Sequence, residues 1–143
     1  MIVQGDVFLL DFEGEPRRNM AERRRKGIAL RDVAGLLRSL DYAGLSAVER
    51  LTLTLPSGTD AIYQAVNEWR HLANSAFLSA YRAGMRDHES WPGEEAVSDW
   101  LNILQLDKVI YEVGYELSNR PAWLHVPLIG LWSLLFRDEA LPS

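Results

Sequence analysis

The chain lacks cysteine and long hydrophobic runs. Without cysteine there can be no disulfides, no thiolate zinc sites and no cysteine nucleophile, which is compatible with a cytoplasmic location. The longest apolar run, VPLIGLWSLLF at residues 126–136, is far shorter than the roughly 20 residues of a transmembrane helix. The N-terminal residues show no basic region ahead of an apolar one. We therefore expect a cytoplasmic protein without an export signal or a membrane partner.

Basic residues are in the minority, since 15 Lys and Arg stand against 20 Asp and Glu, for a net charge of −5. A nucleic-acid binder needs a dominant basic face to neutralise several phosphates, so we expect no nucleic-acid partner. The three histidines are scattered without metal-ligand spacing. No P-loop, dinucleotide-binding glycine motif or G-x-S-x-G elbow occurs either.

The composition is that of a globular protein. A chain of 143 residues with 48% hydrophobic and 24% charged residues can bury one sizeable core, and it is too short for two ordinary domains. We therefore predict a single domain over residues 1–143.

Hydrophobic spacing predicts one strand followed by helices. Residues 7–11, VFLLD, begin with four large apolar residues after a turn, which is typical of a buried strand in a hairpin. A loop with a helical turn at residues 20–25 should follow. Apolar residues at helical spacing then predict helices over residues 30–43, from the break at residues 56–60 to Gly84, over residues 94–119 with a bend near 105–107, and over residues 128–136. The predicted fold class is mainly α with a partial α+β character, one N-terminal strand or hairpin preceding four to five helices.

Two carboxylates stand at the end of the predicted strand. Asp11 and Glu13 are two residues apart, and alternate residues of a strand point to the same side. Carboxylate oxygens suit magnesium, which completes its shell with water and phosphate. The alternative is that Asp11 caps a turn and Glu13 is solvated.

A basic run follows these carboxylates. It comprises Arg17, Arg18, Arg23, Arg24, Arg25 and Lys26. Guanidinium groups bind phosphate oxygens in pairs of hydrogen bonds, so the run could hold a phosphorylated ligand. It could equally be an exposed loop face paired with Glu15 and Glu22.

Three blocks in this order carry a family resemblance. They are DFEGEP at residues 11–16, AERRRKGIALRDVAGLLRSLDYAG at residues 21–44 and LDKVIYEVGYELSNRPAWLHVPLIGL at residues 106–131. Together they resemble the C-terminal part of bacterial maltokinases, including those fused to trehalose synthase. Those proteins are similar to aminoglycoside phosphotransferases and, more distantly, to protein kinases. The resemblance covers about residues 3–131, with residues 44–100 matching only in their helical character, and it implies a kinase-like C-lobe fragment.

The resemblance implies an activity and assigns residues to it. The family transfers phosphate from ATP to maltose, giving maltose 1-phosphate, and its DFEG aspartate holds the magnesium that bridges ATP phosphates. Asp11 occupies that position, and Glu13 would assist through water. The acceptor block supplies the expected contacts to maltose or a related sugar: Tyr111, Tyr115, Glu116, Asn119 and Arg120. The alternative is that the tyrosines are core residues and that Glu116 with Arg120 is a surface ion pair.

The same resemblance implies that parts of a kinase are absent. The family places an ATP-binding lobe and a His-Gly-Asp loop with the catalytic aspartate ahead of DFEG, and Asp6 lacks the matching histidine. We therefore expect no catalytic residue on this chain and no activity from the chain alone. Its partner would be a missing N-terminal half or a second copy. The alternative function is a non-catalytic remnant that serves as a helical sugar-binding or protein-interaction module.

Overall fold

The computed structural model describes residues 2–3, 6–7, 19–24 and 26–136. Two short strands, β1 (Ile2–Val3) and β2 (Asp6–Val7), precede the helices. The helices are α1 (Met20–Arg23), α2 (Leu30–Thr54), α3 (Thr59–Met85), α4 (Glu94–Asn119) and α5 (His125–Leu135). The 3-10 turns Pro56–Gly58 and Pro121–Trp123 lead into α3 and α5. Among the helices described here, none is long and apolar enough to cross a membrane.

The prediction of a partly α+β fold is wrong, although the mainly α character is confirmed. Pairing between β1 and β2 is antiparallel and joins only Ile2 to Val7 and Val3 to Asp6. Such a short pair offers no face that could cover a core. Helices make up nearly all the other described residues. Residues 8–11 of the predicted strand lie outside the described residues.

Helix α1 forms because its first residues satisfy each other's backbone groups. Asn19 accepts a hydrogen bond from the Glu22 amide at 2.9 Å, and the Glu22 carboxylate accepts one from the Asn19 amide at 2.9 Å. This reciprocal capping supports even a four-residue helix. The predicted helical turn after residue 20 is confirmed.

Helix α2 is longer than predicted because Gly44 does not end it. A Cβ atom at this position would lie 3.2 Å from Cγ1 of Val66 in α3. The missing side chain therefore lets α2 and α3 approach closely. Glycine here is a packing residue, and α2 continues to Thr54.

Helices α4 and α5 form the C-terminal half. The bounds predicted for α4 are confirmed, without an interruption at residues 105–107. Gly93 precedes α4 with a φ of 91°, a backbone conformation that glycine adopts readily. Helix α5 begins at His125, three residues earlier than predicted, because Pro127 is tolerated in the first turn, where backbone N–H groups have no helical partner.

The core lies between α2 and α4, and Phe77, Leu78 and Tyr81 of α3 pack against it. Its central cluster consists of Leu30, Val33, Ala34, Leu37, Val97, Leu101 and Leu104. Helix α3 packs against α2 and contains no buried residue. Helix α4 also packs against α5, which contacts α2 as well. The buried polar side chains Arg38, Glu112 and Glu116 belong to α2 and α4.

Candidate functional site

The C-terminal half of α4 presents two tyrosines of the predicted sugar site side by side. The rings of Tyr111 and Tyr115 stack with centroids 6.3 Å apart and planes 20° apart, because residues four apart share a helical face. Nζ of Lys108 lies 5.1 Å from the Tyr111 ring centroid. The hydroxyl oxygen of Tyr111 is buried and has no hydrogen-bond partner in the described part of the chain.

Arg120 extends this face beyond the end of α4. Its Nε and Nη2 donate to the two carboxylate oxygens of Glu116 at 2.9 and 2.6 Å. The guanidinium carbon lies 5.6 Å from the ring centroids of both Tyr115 and Trp123. The 3-10 turn Pro121–Trp123 brings Trp123 back to this position. The Arg120 side chain is half exposed, so the guanidinium is accessible to a ligand.

Glu116 lies behind Arg120 in the interior. Its side chain is only 2% exposed, and Tyr42 of α2 donates a hydrogen bond to its Oε1 at 3.2 Å. Both carboxylate oxygens are therefore bonded to protein groups. The structure brings Glu116 and Arg120 together as an ion pair, with Glu116 buried rather than on the surface.

Asn119, the remaining predicted sugar contact, is exposed at the end of α4. Its Nδ2 donates to the Tyr115 carbonyl at 2.8 Å. The side-chain oxygen of Asn119 takes part in no described hydrogen bond, which leaves an acceptor facing solvent beside the tyrosines.

A second buried ion pair lies one turn earlier on α4. Nε and Nη2 of Arg38 donate to one oxygen of Glu112 at 3.0 and 2.8 Å, and Nη1 donates to Asp41 at 2.8 Å. Asp41 also pairs with Arg70 of α3 at 3.0 Å. Arg38 is 1% exposed, and its guanidinium fills the space beside Gly130 of α5. This network joins four helices at one point.

The sequence interpretation missed Arg38, Tyr42, Glu112 and Trp123. A signal existed for two of them, because Arg38 and Glu112 lie on the apolar faces of their helices, where a charge must find a partner. Arg31 of α2 forms a further ion pair with Asp107 of α4, at 2.8 Å.

Burial raises the pKa of Glu112 above its ordinary value, and the attraction of Arg38 offsets this only in part. A carboxyl whose pKa is raised by folding binds its proton more tightly when folded. Its contribution to stability is therefore most favourable at low pH and declines as pH rises from the unfolded-state pKa through the folded-state pKa.

We expect the free energy of unfolding of the wild type, measured relative to Glu112→Gln, to fall as the pH rises above about 4, the ordinary pKa of glutamate, because glutamine does not titrate. Urea unfolding of both proteins at a series of pH values gives this difference. A difference that stays constant or grows with pH would contradict the raised pKa.

Asp11 and Glu13, the predicted magnesium ligands, lie outside the described residues. Within the described ranges, no group of three His, Asp or Glu side chains could hold a metal ion. Of the basic run, Arg23, Arg24 and Lys26 are described; Arg23 belongs to α1, and Arg24 caps its end. A phosphate-binding role for this run stays a prediction.

A cavity of about 710 Å³ lies between α2 and α3. It shares no residue with the tyrosine and arginine face. Its lining is Ala43, Ala47, Leu51, Leu55, Ser57, Gly58, Ala61, Ile62, Ala65, Val66 and Trp69. A sugar needs several polar partners for its hydroxyls, and this lining offers one hydroxyl side chain. The α4 face is therefore the better candidate for a sugar.

Two curated proteins named glucosamine kinase are similar to this chain. The one from Streptacidiphilus jiangxiensis is 28% identical over 132 residues, covering 92% of this chain and 28% of that protein. The one from Mycolicibacterium smegmatis is 29% identical over 133 residues, covering 92% of this chain and 30% of that protein. The chain thus spans less than a third of the length of these relatives. No family model and no solved structure matches it.

These similarities support a kinase-like relationship over most of the chain. Both relatives are named as sugar kinases, which agrees with the resemblance to sugar kinases noted in the sequence. Neither name refers to maltose, so the relationship is to sugar kinases generally and not to maltokinases in particular.

Proposed function

We propose that this chain forms the acceptor-sugar part of an ATP-dependent sugar kinase. The observation that carries the proposal is the similarity to two glucosamine kinases over 92% of the chain. The chain spans at most 30% of those proteins, so phosphoryl transfer would also depend on the parts of such a kinase that these 143 residues do not match.

The α4 face has the chemistry that a sugar site needs. Sugars bind through aromatic faces against C–H groups and through polar groups that pair with hydroxyls. Tyr111 and Tyr115 provide the rings, and Arg120 provides exposed donors.

Asp11 and Glu13 would hold the magnesium ion in this proposal. Carboxylates are suitable ligands for magnesium, which keeps several waters and binds nucleotide phosphates. Magnesium, when bound with ATP, neutralises the charge on the transferred phosphate. The contribution of this chain is to anchor the ion and, at the α4 face, to orient the acceptor.

Glucosamine is the acceptor we propose first, because both relatives carry its name. Maltose is the second candidate, since the blocks at residues 11–16, 21–44 and 106–131 resemble those of maltokinases. Both sugars present several hydroxyls, which the exposed guanidinium of Arg120 could bind.

The test is a chimera in which this chain replaces the matched 133-residue segment of the M. smegmatis protein. We expect ADP release that depends on glucosamine or on maltose, and no release from the chain alone. A coupled ADP assay with each sugar measures both. The ratio of the two rates identifies the acceptor.

A folded chimera that binds ATP but never turns over would contradict the kinase proposal. If the isolated chain then still bound a sugar without ATP or magnesium, the non-catalytic sugar-binding module would be the better description. Calorimetric titration with glucosamine and with maltose separates these two cases.

A further inference from the structure

Tyr42 connects α2 to the ion pair at the end of α4. Its hydroxyl donates to Oε1 of Glu116 at 3.2 Å. The same oxygen accepts the 2.6 Å hydrogen bond from Nη2 of Arg120. Tyr42 and Arg120 therefore bind the same carboxylate oxygen of Glu116.

The ring of Tyr42 is itself held in place. The Arg38 guanidinium carbon lies 5.7 Å from its centroid, and Arg38 is fixed by hydrogen bonds to Glu112 and Asp41. Burial, followed by the nearby charges of Glu112 and Glu116, raises the pKa of Tyr42. The hydroxyl thus keeps its proton and remains a donor.

Arg120 has one edge left for a ligand. Nε and Nη2 are bonded to Glu116, whereas Nη1 makes no hydrogen bond to any described residue. The orientation of this free edge depends on the orientation of the Glu116 carboxylate, because the two groups form a paired contact with little freedom. Whatever fixes the carboxylate also fixes the guanidinium.

We propose that Tyr42 is a positioning residue for Arg120: its hydroxyl fixes the Glu116 carboxylate, which holds the guanidinium against Tyr115 and Trp123 with Nη1 directed at the ligand. Only the identity of that ligand, a sugar oxygen, rests on the proposed function. The positioning itself concerns the free protein.

The test compares Tyr42→Phe with the control Tyr63→Phe on the exposed part of α3. Phenylalanine keeps the ring and removes only the hydroxyl. In Tyr42→Phe we expect the Arg120 Nε–H resonance to shift and its hydrogen exchange to accelerate about 3- to 10-fold, the ratio that one hydrogen bond of ordinary strength gives. Glucosamine affinity should fall by a similar factor. Tyr63→Phe should change none of these.

A second variant, Glu116→Gln, keeps the shape of the side chain and removes its charge. It should accelerate exchange at Arg120 more than Tyr42→Phe does, because the charge-assisted bonds are lost. If Arg120 exchange and the resonance are unchanged in Tyr42→Phe, the positioning role is refuted even where sugar binds. If Arg120 responds but the wild type binds no sugar, the positioning role stands and the proposed function fails.

Discussion

Gly130→Ala is expected to destabilise the protein by about 2–4 kcal/mol. A Cβ atom at Gly130 would overlap the guanidinium of Arg38, approaching its Nη1, Cζ and Nη2 atoms more closely than real contacts allow. The guanidinium cannot move aside while it is bonded to Glu112 and Asp41. Breaking a buried ion pair costs about 3–5 kcal/mol. The higher helix propensity of alanine relative to glycine offsets about 1 kcal/mol of this loss.

Gly35→Ala is the matched control for this prediction. Gly35 also lies inside a helix, but a Cβ there would meet nothing within 4 Å. Alanine should therefore stabilise α2 by up to about 1 kcal/mol. Urea unfolding gives both free energies. If the free energy of unfolding of Gly130→Ala lies within about 0.5 kcal/mol of the wild-type value, the Arg38 guanidinium does not fill the space beside Gly130.

Asp11→Asn is expected to reduce ADP release by the chimera at least about 100-fold, the effect of removing a group that stabilises charge in a transition state. Asparagine keeps the size of the side chain but lacks the charge that a magnesium ligand supplies. The free energy of unfolding should change little, since the predicted role of Asp11 is chemical.

Glu15→Gln is the control for Asp11, because it removes a neighbouring carboxylate of the DFEGEP block that has no predicted contact with magnesium. Its turnover should stay within about twofold of the unmodified chimera, a difference of less than 0.5 kcal/mol. Magnesium titration of both variants should show a raised requirement for Asp11→Asn alone. Full turnover by Asp11→Asn would show that Asp11 is not a magnesium ligand.

Local patterns predicted α3 and α4 well because their apolar residues repeat without interruption and their ends carry Gly and Pro signals. The end of α2 was missed because a glycine such as Gly44 can either end a helix or allow two helices to pack closely. The close approach of Val66 of α3 shows that Gly44 does the second, and the local sequence does not contain that information. The α+β prediction failed because one short apolar run does not establish a sheet, and the described strands β1 and β2 pair over only two residues each.

The candidate site was predictable only where its residues are neighbours in sequence. The spacing of Tyr111 with Tyr115 and of Glu116 with Arg120 follows from helical geometry. The contact from Tyr42 to Glu116 spans 74 residues, and no local pattern contains it. The burial of Glu116 likewise depends on how α2 packs against α4, and the spacing of residues within one helix does not determine that packing.

The most direct measurement is an NMR titration of the isolated chain with glucosamine and then with maltose. We predict saturable chemical-shift changes confined to residues 111–123, including those of the Nε–H group of Arg120 and the indole N–H of Trp123. Shifts that appear only around the cavity between α2 and α3, or no saturable shifts with either sugar, would contradict the assignment of the α4 face as the acceptor site.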